Sequence, residues 1–461
     1  MSQILKFFVG RRSDWHLHRP WFRLPQARMH WIGPLAVALS TVAGWFAFSG
    51  TAGLDSNSTF SMFIGSVSIV LMAWSFILAL RIRVLERFWG GLDSMYRGHR
   101  WAGTLAVGAM YLHTAIEPET KGAAVVRDFS SRVADAAEDL AETGQTMLYI
   151  LIGVSIVRLL PYRWWKWTHK LLGIPFAFAS WHFFTAAKPY ANASGWGIWF
   201  AGFMAAGLAA FVARVFIRDS VAQGKEYTIV DAVHAGNLTR IELQPKGRPI
   251  SFESGQFAFL RIEAKGMREP HPFSIASGAS RDHLTFWIRH LGDWSDRLPD
   301  TSLVGTKVMV EGAYGEFDPL GDGDNIVWIA GGVGITPFLA ALDELQPGDP
   351  VPTVLYACRD SVGDPLVELL HDAHRRRAID LQVFSSPDRL TPEALDSAFP
   401  GGMANHHVAL CGPAGLVRSM AQAASDRGAR SIETEDFDIR QGFGPDRSRE
   451  IAAASTRLVR S

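Results

Sequence analysis

Cysteine is almost missing: Cys358 and Cys411 are all that 461 residues hold. Two thiols cannot build a disulfide framework, a structural zinc site or a four-cysteine iron–sulfur cluster. Any redox group must therefore be held by other side chains. Net charge is missing as well, 45 Lys and Arg balancing 45 Asp and Glu, so no global field draws nucleic acid or an acidic partner. The start of the chain carries Arg11 and Arg12, but a long charged stretch separates them from the first apolar run and no small-residue cleavage site follows. No signal peptide is expected. What the chain does have is apolar surface, 48% of its residues, with 16 Trp among them. The first half holds most of it, and the length allows a membrane part plus soluble units.

Uncharged stretches run over 31–50, 59–80, 101–116, 143–157, 171–187 and 189–213. Each approaches the ~20 residues that cross hydrocarbon, the middle three falling short. Arg and Lys collect before the first stretch, between the second and third (Arg81, Arg83, Arg87, Arg97, Arg100), between the fourth and fifth (Arg158, Arg163, Lys166, Lys170) and after the sixth (Arg214, Arg218). The alternate loops hold few cations or are outnumbered by acids. This asymmetry places both termini in the cytosol. Residues 117–142, spaced like an amphipathic helix, then lie outside, either as a cap on the bundle or as a solvated linker.

Four histidines fall on the third and fifth stretches or at their edges: His99 and His113, 14 apart, and His169 and His182, 13 apart. Ionisable groups at membrane depth are expensive and usually functional. At ~1.5 Å per residue each pair is separated by about 20 Å, so His99 and His169 share the cytosolic level and His113 and His182 the outer level. A lone intramembrane histidine is most often a hydrogen-bonded packing residue. Two pairs at matching depths instead suit two stacked haems with one imidazole on each face of each ring. The phase is a difficulty, because positions 13 apart on a straight helix lie about 140° away from each other. Pro175 is expected to kink or re-phase the fifth helix.

These histidines and spacings resemble those of the ferric reductase and NADPH oxidase transmembrane family over residues 30–218. The resemblance implies that His99 with His169, and His113 with His182, ligate an inner and an outer b-type haem.

After Lys225 hydropathy falls, and short β-branched runs (YTIVDAV, LTRIEL, FAFLRIE, LTFWIRH, KVMVEG) punctuated by Gly, Pro and Asn predict a small antiparallel barrel. Beyond Asp318, NIVWIA, GGVGITP, FLAALDEL, TVLYA, LQVF and HHVAL alternate strand with helix, predicting an α/β nucleotide domain. His271-Pro272-Phe273-Ser274 offers an aromatic face and a hydroxyl to an isoalloxazine; Arg289 and the Gly292-Asp293-Trp294-Ser295 turn offer a cation and a hydroxyl to a pyrophosphate. Gly331, Gly332 and Gly334 permit close backbone approach, although the pattern is not GxGxxG, and Thr336 and Pro337 open the helix on which phosphates can rest. Such a turn is otherwise merely structural.

The order of these pieces resembles a ferredoxin reductase-type FAD domain, and HPFS and GDWS resemble its oxidase branch. The resemblance implies that Phe273 and Ser274 face the flavin and that Arg289 and Ser295 reach its phosphates. It implies that Cys411, Gly412 and Pro413 lie beside the nicotinamide, against the alternative that Cys411 is a buried apolar residue. Arg359 in CRD, with Arg389, resembles a site for an adenosine 2′-phosphate, which favours NADPH over NADH. Phe437 resembles the aromatic that covers the flavin, but 24 residues follow it here.

The expected fold is a membrane all-α six-helix bundle, then an antiparallel β-barrel FAD domain and an α/β nucleotide-binding domain. The boundaries are a cytosolic segment 1–29, a haem-binding domain 30–218, the FAD barrel 223–320, the NAD(P) domain 321–440 and a tail 441–461. The expected function moves electrons from cytosolic NAD(P)H through FAD and two haems to an acceptor on the far side. Hydride carries two electrons and a haem iron takes one, so a flavin is the natural converter. With both axial positions filled, the acceptor takes its electron at the haem edge. Dioxygen and a ferric chelate are both open. The alternative is an electron-supply subunit for a periplasmic partner protein. The expected location is a bacterial inner membrane.

Overall fold

The computed structural model describes residues 30–156, 162–218, 224–292, 294–298, 303–321 and 323–435. Phe437 and Asp293 lie outside these residues.

The first half is helical. α1 (Ile32–Ala43) and the single turn α2 (Trp45–Phe48) precede α3 (Ser56–Leu78), where the Asp55 carboxylate accepts the Ser58 N–H at 2.7 Å as an N-cap. Then come α4 (Arg83–Trp89), ended by Gly90 at φ 75°, α5 (Leu92–Ala115), α6 (Ser131–Ile156), α7 (Tyr162–Lys170), α8 (Gly173–Thr185) and α9 (Gly195–Val212), which a π-helical turn at Ala213–Arg218 extends. Among the described residues, two helices are long and apolar enough to cross a membrane, Ser56–Leu78 and Gly195–Ile217. The other expected spans are helical but shorter or less uniformly apolar. α5 opens on LDSMYRGHR and α6 on SRVADAAEDLAE, polar turns that lengthen each helix beyond its apolar part.

Two expectations are revised. Residues 131–142, read as part of a separate outer element, are the first turns of α6. The fifth stretch is two helices rather than one kinked at Pro175. The N–H groups of Leu171, Leu172 and Ile174 bond to carbonyls three residues back, a 3₁₀ tightening between α7 and α8. Pro175 sits in the first turn of α8, where its missing N–H leaves no bond unmade. The helices pack through small residues: a Cβ on Gly207 of α9 would come within 2.9 Å of the Ala73 Cα on α3.

The second half begins with a six-stranded antiparallel sheet, β1 (Lys225–Ala235), β2 (Leu238–Pro245), β3 (Phe257–Ile262), β4 (His271–Ser274), β5 (Leu284–Arg289) and β6 (Lys307–Tyr314), in the order β4-β3-β6-β1-β2-β5. It is a curled half-barrel rather than the full barrel expected, because β4 and β5 are not laddered to each other. β4 is four residues long and contains Pro272, which cannot donate to a ladder. Just beyond it, the Ala276 N–H reaches the Thr285 carbonyl at 2.8 Å.

A five-stranded parallel sheet follows: β7 (Asn325–Gly331), β8 (Thr353–Ala357), β9 (Asp380–Phe384), β10 (His406–Cys411) and β11 (Ser431–Glu435), in the order β11-β10-β7-β8-β9. Its helices are α10 (Thr336–Glu344), α11 (Pro365–Arg375), α12 (Glu393–Ala398) and α13 (Ala414–Asp426). Strand order reverses between β7 and β10, whose carboxyl ends therefore flank the crevice where ligands of open α/β sheets bind.

The two halves share a packed joint. Leu78, Trp89, Leu92 and Met95 from the helices form one apolar cluster with Phe257, Phe259 and Tyr314 from the antiparallel sheet. In α7, Lys166 lies 3.5 Å from Glu269 of the second half.

Candidate functional site

α5 carries His99 and His113 along one face. The Nδ1 of His99 lies 2.8 Å from the Ser75 carbonyl and that of His113 lies 2.9 Å from the Ser61 carbonyl, both on α3. A carbonyl oxygen can only accept, so each ring carries its proton on Nδ1 and keeps an unprotonated Nε2, the tautomer of a metal-ligating histidine. Across the bundle are His169 at the end of α7 and His182 on α8. The His99 and His169 ring centres are 6.0 Å apart with planes at 75°. Two imidazoles sharing one metal at ~2 Å per nitrogen have centres about 6 Å apart, so this pair fits a common ion. His182 lies within electrostatic reach of His113.

The tight turn between α7 and α8 reduces the phase problem by less than half. Each residue there advances by ~120° rather than ~100°, which recovers roughly 60° of the mismatch over three residues. The Nδ1 atoms of His169 and His182 are buried without a hydrogen-bond partner, and His169 stacks on Trp165 at 5.0 Å and 18°. Among the described residues no group of three or more His, Cys, Asp or Glu side chains could hold a bare metal ion. Imidazoles in twos suit an iron whose remaining ligands come from a macrocycle.

Next to His182, residues 117–130 are tied down at several points. The Ala124 N–H bonds to the Ala52 carbonyl, Val126 bridges Lys188, and the Asp128 carboxylate accepts the Asn192 N–H at 2.7 Å. Phe129 packs on Trp181 and Phe184, the neighbours of His182. Lys188 is buried beneath, its ammonium donating to the Phe184 and Ala186 carbonyls at 3.0 Å each at the end of α8. Burial pulls it down to about 8.

In the half-barrel, Phe273 stacks on Trp294 with centres 5.4 Å apart, and His271 lies 4.8 Å from the same ring. Pro272 and Ser274 lie opposite Phe259 and Phe257 of β3. Ser295 is committed locally: its hydroxyl accepts the Leu291 N–H at 2.7 Å and donates to the Gly292 carbonyl at 3.1 Å. Arg289 leaves the end of β5 and lays its guanidinium in the space that a Cβ on Gly332 would fill. The structure therefore brings the expected phosphate-binding arginine to the glycine turn.

That turn is a 3₁₀ segment at Gly332–Ile335 running into α10, with Pro337 in its first turn. Gly332 has φ 55°, and a Cβ on Gly334 would stand 2.6 Å from the Cys411 carbonyl and 2.7 Å from the Gly412 Cα. A Cβ on Gly331 would meet Pro413 at 2.7 Å. The two expected nicotinamide elements thus touch, and only glycine permits the approach. The Thr336 hydroxyl donates to the Val333 carbonyl at 2.9 Å, and Cys411 is fully buried at the end of β10. Arg359, just past β8, and Arg389, past β9, are both exposed.

Four residues escaped the sequence reading. Ser61 and Ser75 are two of six serines on α3, and the seven-residue interval they share with Ser68 acquires meaning only beside α5. Arg81 holds the left-handed conformation at φ 53°, donates from Nε to the Tyr96 hydroxyl at 2.7 Å and sits 4.0 Å above the Phe259 ring. Glu86 on α4 is 3% exposed and accepts the Gly315 N–H at 3.4 Å. Burial raises its carboxyl to about 7. Both bind partners far along the chain, which no local pattern announces.

Residues 64–180 match the family described as ferric reductase like transmembrane component, and residues 226–318 match an FAD-binding domain. The Solanum tuberosum respiratory burst oxidase homolog protein A is 30% identical over 139 residues, 25% of this chain and 14% of that protein. The Arabidopsis thaliana ferric reduction oxidase 8, mitochondrial, is 32% identical over 139 residues, 27% of this chain and 19% of that protein. Each alignment thus spans less than a fifth of the relative's own length. Among solved structures, the flavohem-like FAD/NAD binding domain of nitric oxide dioxygenase from Vibrio cholerae O1 biovar El Tor superposes with a TM-score of 0.40 at 20% identity, covering 46% of this chain and 98% of that one.

Proposed function

We propose that this chain, in which residues 64–180 match a ferric reductase like transmembrane component and residues 226–318 an FAD-binding domain, is a transmembrane oxidoreductase, carrying electrons from cytosolic NAD(P)H through FAD and two bis-histidine haems to dioxygen. The observation that carries the reading is the His99–His169 pair, 6.0 Å between ring centres, with the His99 proton parked on Nδ1 by Ser75. Bound FAD and haem supply the step from hydride to single electrons. The protein's own residues bind, orient and exclude water, and none need act as acid or base.

His99 and His169 hold the inner ring, His113 and His182 the outer. The packed joint of Phe257, Phe259 and Tyr314 against α3, α4 and α5 keeps the flavin half at the His99 end. Phe273 and Ser274 line the flavin site, Arg289 reaches the flavin's phosphates from beside the Gly332 turn, and Gly331, Gly332, Gly334, Thr336, Cys411, Gly412 and Pro413 form the nicotinamide crevice. Arg359 reads the 2′-phosphate of NADPH. The six helical stretches span the membrane with both termini cytosolic.

Dioxygen is placed ahead of a ferric chelate for a specific reason. The pinned 117–130 segment packs on the neighbours of His182, a cover that a diatomic molecule passes more easily than a bulky chelate. The test is rapid mixing of the anaerobic purified chain with NADPH, followed by oxygen or ferric citrate, watching flavin and haem bands. Flavin bleaching, haem reduction and fast reoxidation by oxygen are expected. Reoxidation by ferric citrate alone would make the chain a ferric reductase, and haems that never reduce would overturn the reading.

A further inference from the structure

On α3, Ser61, Ser68 and Ser75 recur every seven residues and face His113, Ala106 and His99 on the antiparallel α5, which recur at the same interval. Helix serines ordinarily bond the carbonyl three or four residues back in their own helix, as Ser66 does with Phe63 and Ser40 with Val37. These three reach across instead. Ser61 Oγ lies 3.1 Å from His113 Nδ1 and 3.2 Å from the His113 carbonyl; Ser75 Oγ lies 2.9 Å from His99 Nδ1 and 3.4 Å from the His99 carbonyl. The middle rung lacks an imidazole, and Ser68 Oγ donates to the Ala106 carbonyl at 2.9 Å. Its hydroxyl ties helix to helix and nothing more.

We infer that Ser61 and Ser75 are positioning residues, each setting the ring orientation and basicity of one ligand histidine and so tuning the two haem potentials separately. This rests on the two-haem reading above. The physical basis is that a ligand histidine whose distal N–H is hydrogen-bonded is a stronger donor to the metal and favours the more highly charged oxidised iron. Each serine supplements the carbonyl contact at Nδ1 with its hydroxyl and fixes the turn of α5 that carries the ring. His169 and His182, whose Nδ1 atoms are buried without such a partner, lack this support. Each haem then has one strengthened and one plain ligand, and the strengthened one is addressable by a single side chain.

The experiment is a spectroelectrochemical titration of the purified full-length chain, with low-temperature electron paramagnetic resonance, on wild type, Ser61→Ala, Ser75→Ala and Ser68→Ala. Ser75→Ala is expected to raise the potential of the haem lost in His99→Ala, and Ser61→Ala that of the haem lost in His113→Ala. The expected size is about a tenfold change in the preference for reduced iron, about 59 mV for one electron. Ser68→Ala should leave both unchanged, and Ser61→Thr or Ser75→Thr, which keep the hydroxyl, should restore the wild-type values. The threonine variants also serve where an alanine variant does not accumulate, since a potential displaced while the hydroxyl is kept would contradict the assignment. Two wild-type haems whose potentials and resonance signals ignore Ser61 and Ser75, or follow Ser68 equally, would overturn this inference alone. A wild type without two low-spin haems would overturn the parent reading with it.

Discussion

Gly65 on α3 faces His113 so closely that a Cβ there would stand 3.0 to 3.2 Å from the imidazole. The ring is already held by Ser61, so it cannot swing far to make room, and overpacking of this kind costs about 1–3 kcal/mol. Gly65→Ala is therefore expected to disturb the outer haem alone, seen as a loss or shift of one of two haem signals with flavin reduction intact. Gly332 makes a second case. Its φ of 55° and the Arg289 guanidinium in its Cβ position both oppose a side chain. Gly332→Ala puts ~1–2 kcal/mol of left-handed strain into the dinucleotide turn, so the KM for NADPH should rise roughly tenfold. Steady-state kinetics with saturating acceptor checks it. At this scale the sequence was informative where chemistry is rare. Four histidines at membrane depth stand out, whereas their serine partners are ordinary helix residues until α3 and α5 are seen side by side.

The connection between α4 and β6 holds a buried acid that links the two halves. Glu86 titrates near 7 rather than 4.5, chiefly because burial disfavours its charge, with Glu316 and Asp93 adding to this and the Gly315 N–H and Arg83 opposing it. Its folded pKa is raised, so its contribution to stability is fully present below about 4.5 and is lost as pH rises through about 7. The change is on the order of 3 kcal/mol if the joint opens on unfolding. Thermal unfolding followed between pH 4.5 and 8 should show the wild type losing stability across that window and Glu86→Gln losing distinctly less; parallel curves would remove Glu86 from the joint. Elements were legible where periodicity was strong. The strands of both sheets and the glycine turn before α10 follow the expected order. The break between α7 and α8 was misplaced onto Pro175, because a proline in a first helical turn looks in sequence like one in mid-helix. The antiparallel barrel proves to be half a barrel, because nothing in HPFS reveals that its strand ends after four residues without joining β5.

At the scale of the molecule, a helical half with imidazoles at two levels is joined to a second half whose glycine turn, Cys411 edge and Arg289 converge. The joint formed by Leu78, Trp89, Leu92, Met95, Phe257, Phe259 and Tyr314 could not be read in advance, since its members are distant in sequence and each looks like routine core. A helical half followed by an antiparallel and then a parallel sheet was foreseeable from composition and motif order, whereas the mutual seating of these parts was not. Everything rests on two metal-binding levels, and haem stoichiometry tests them most directly. Pyridine haemochrome quantitation with electron paramagnetic resonance on the purified chain should give two low-spin haems per polypeptide, falling to one in His113→Ala while NADPH still bleaches the flavin. One haem or none in the wild type, or loss of both in His113→Ala without unfolding, would contradict the account.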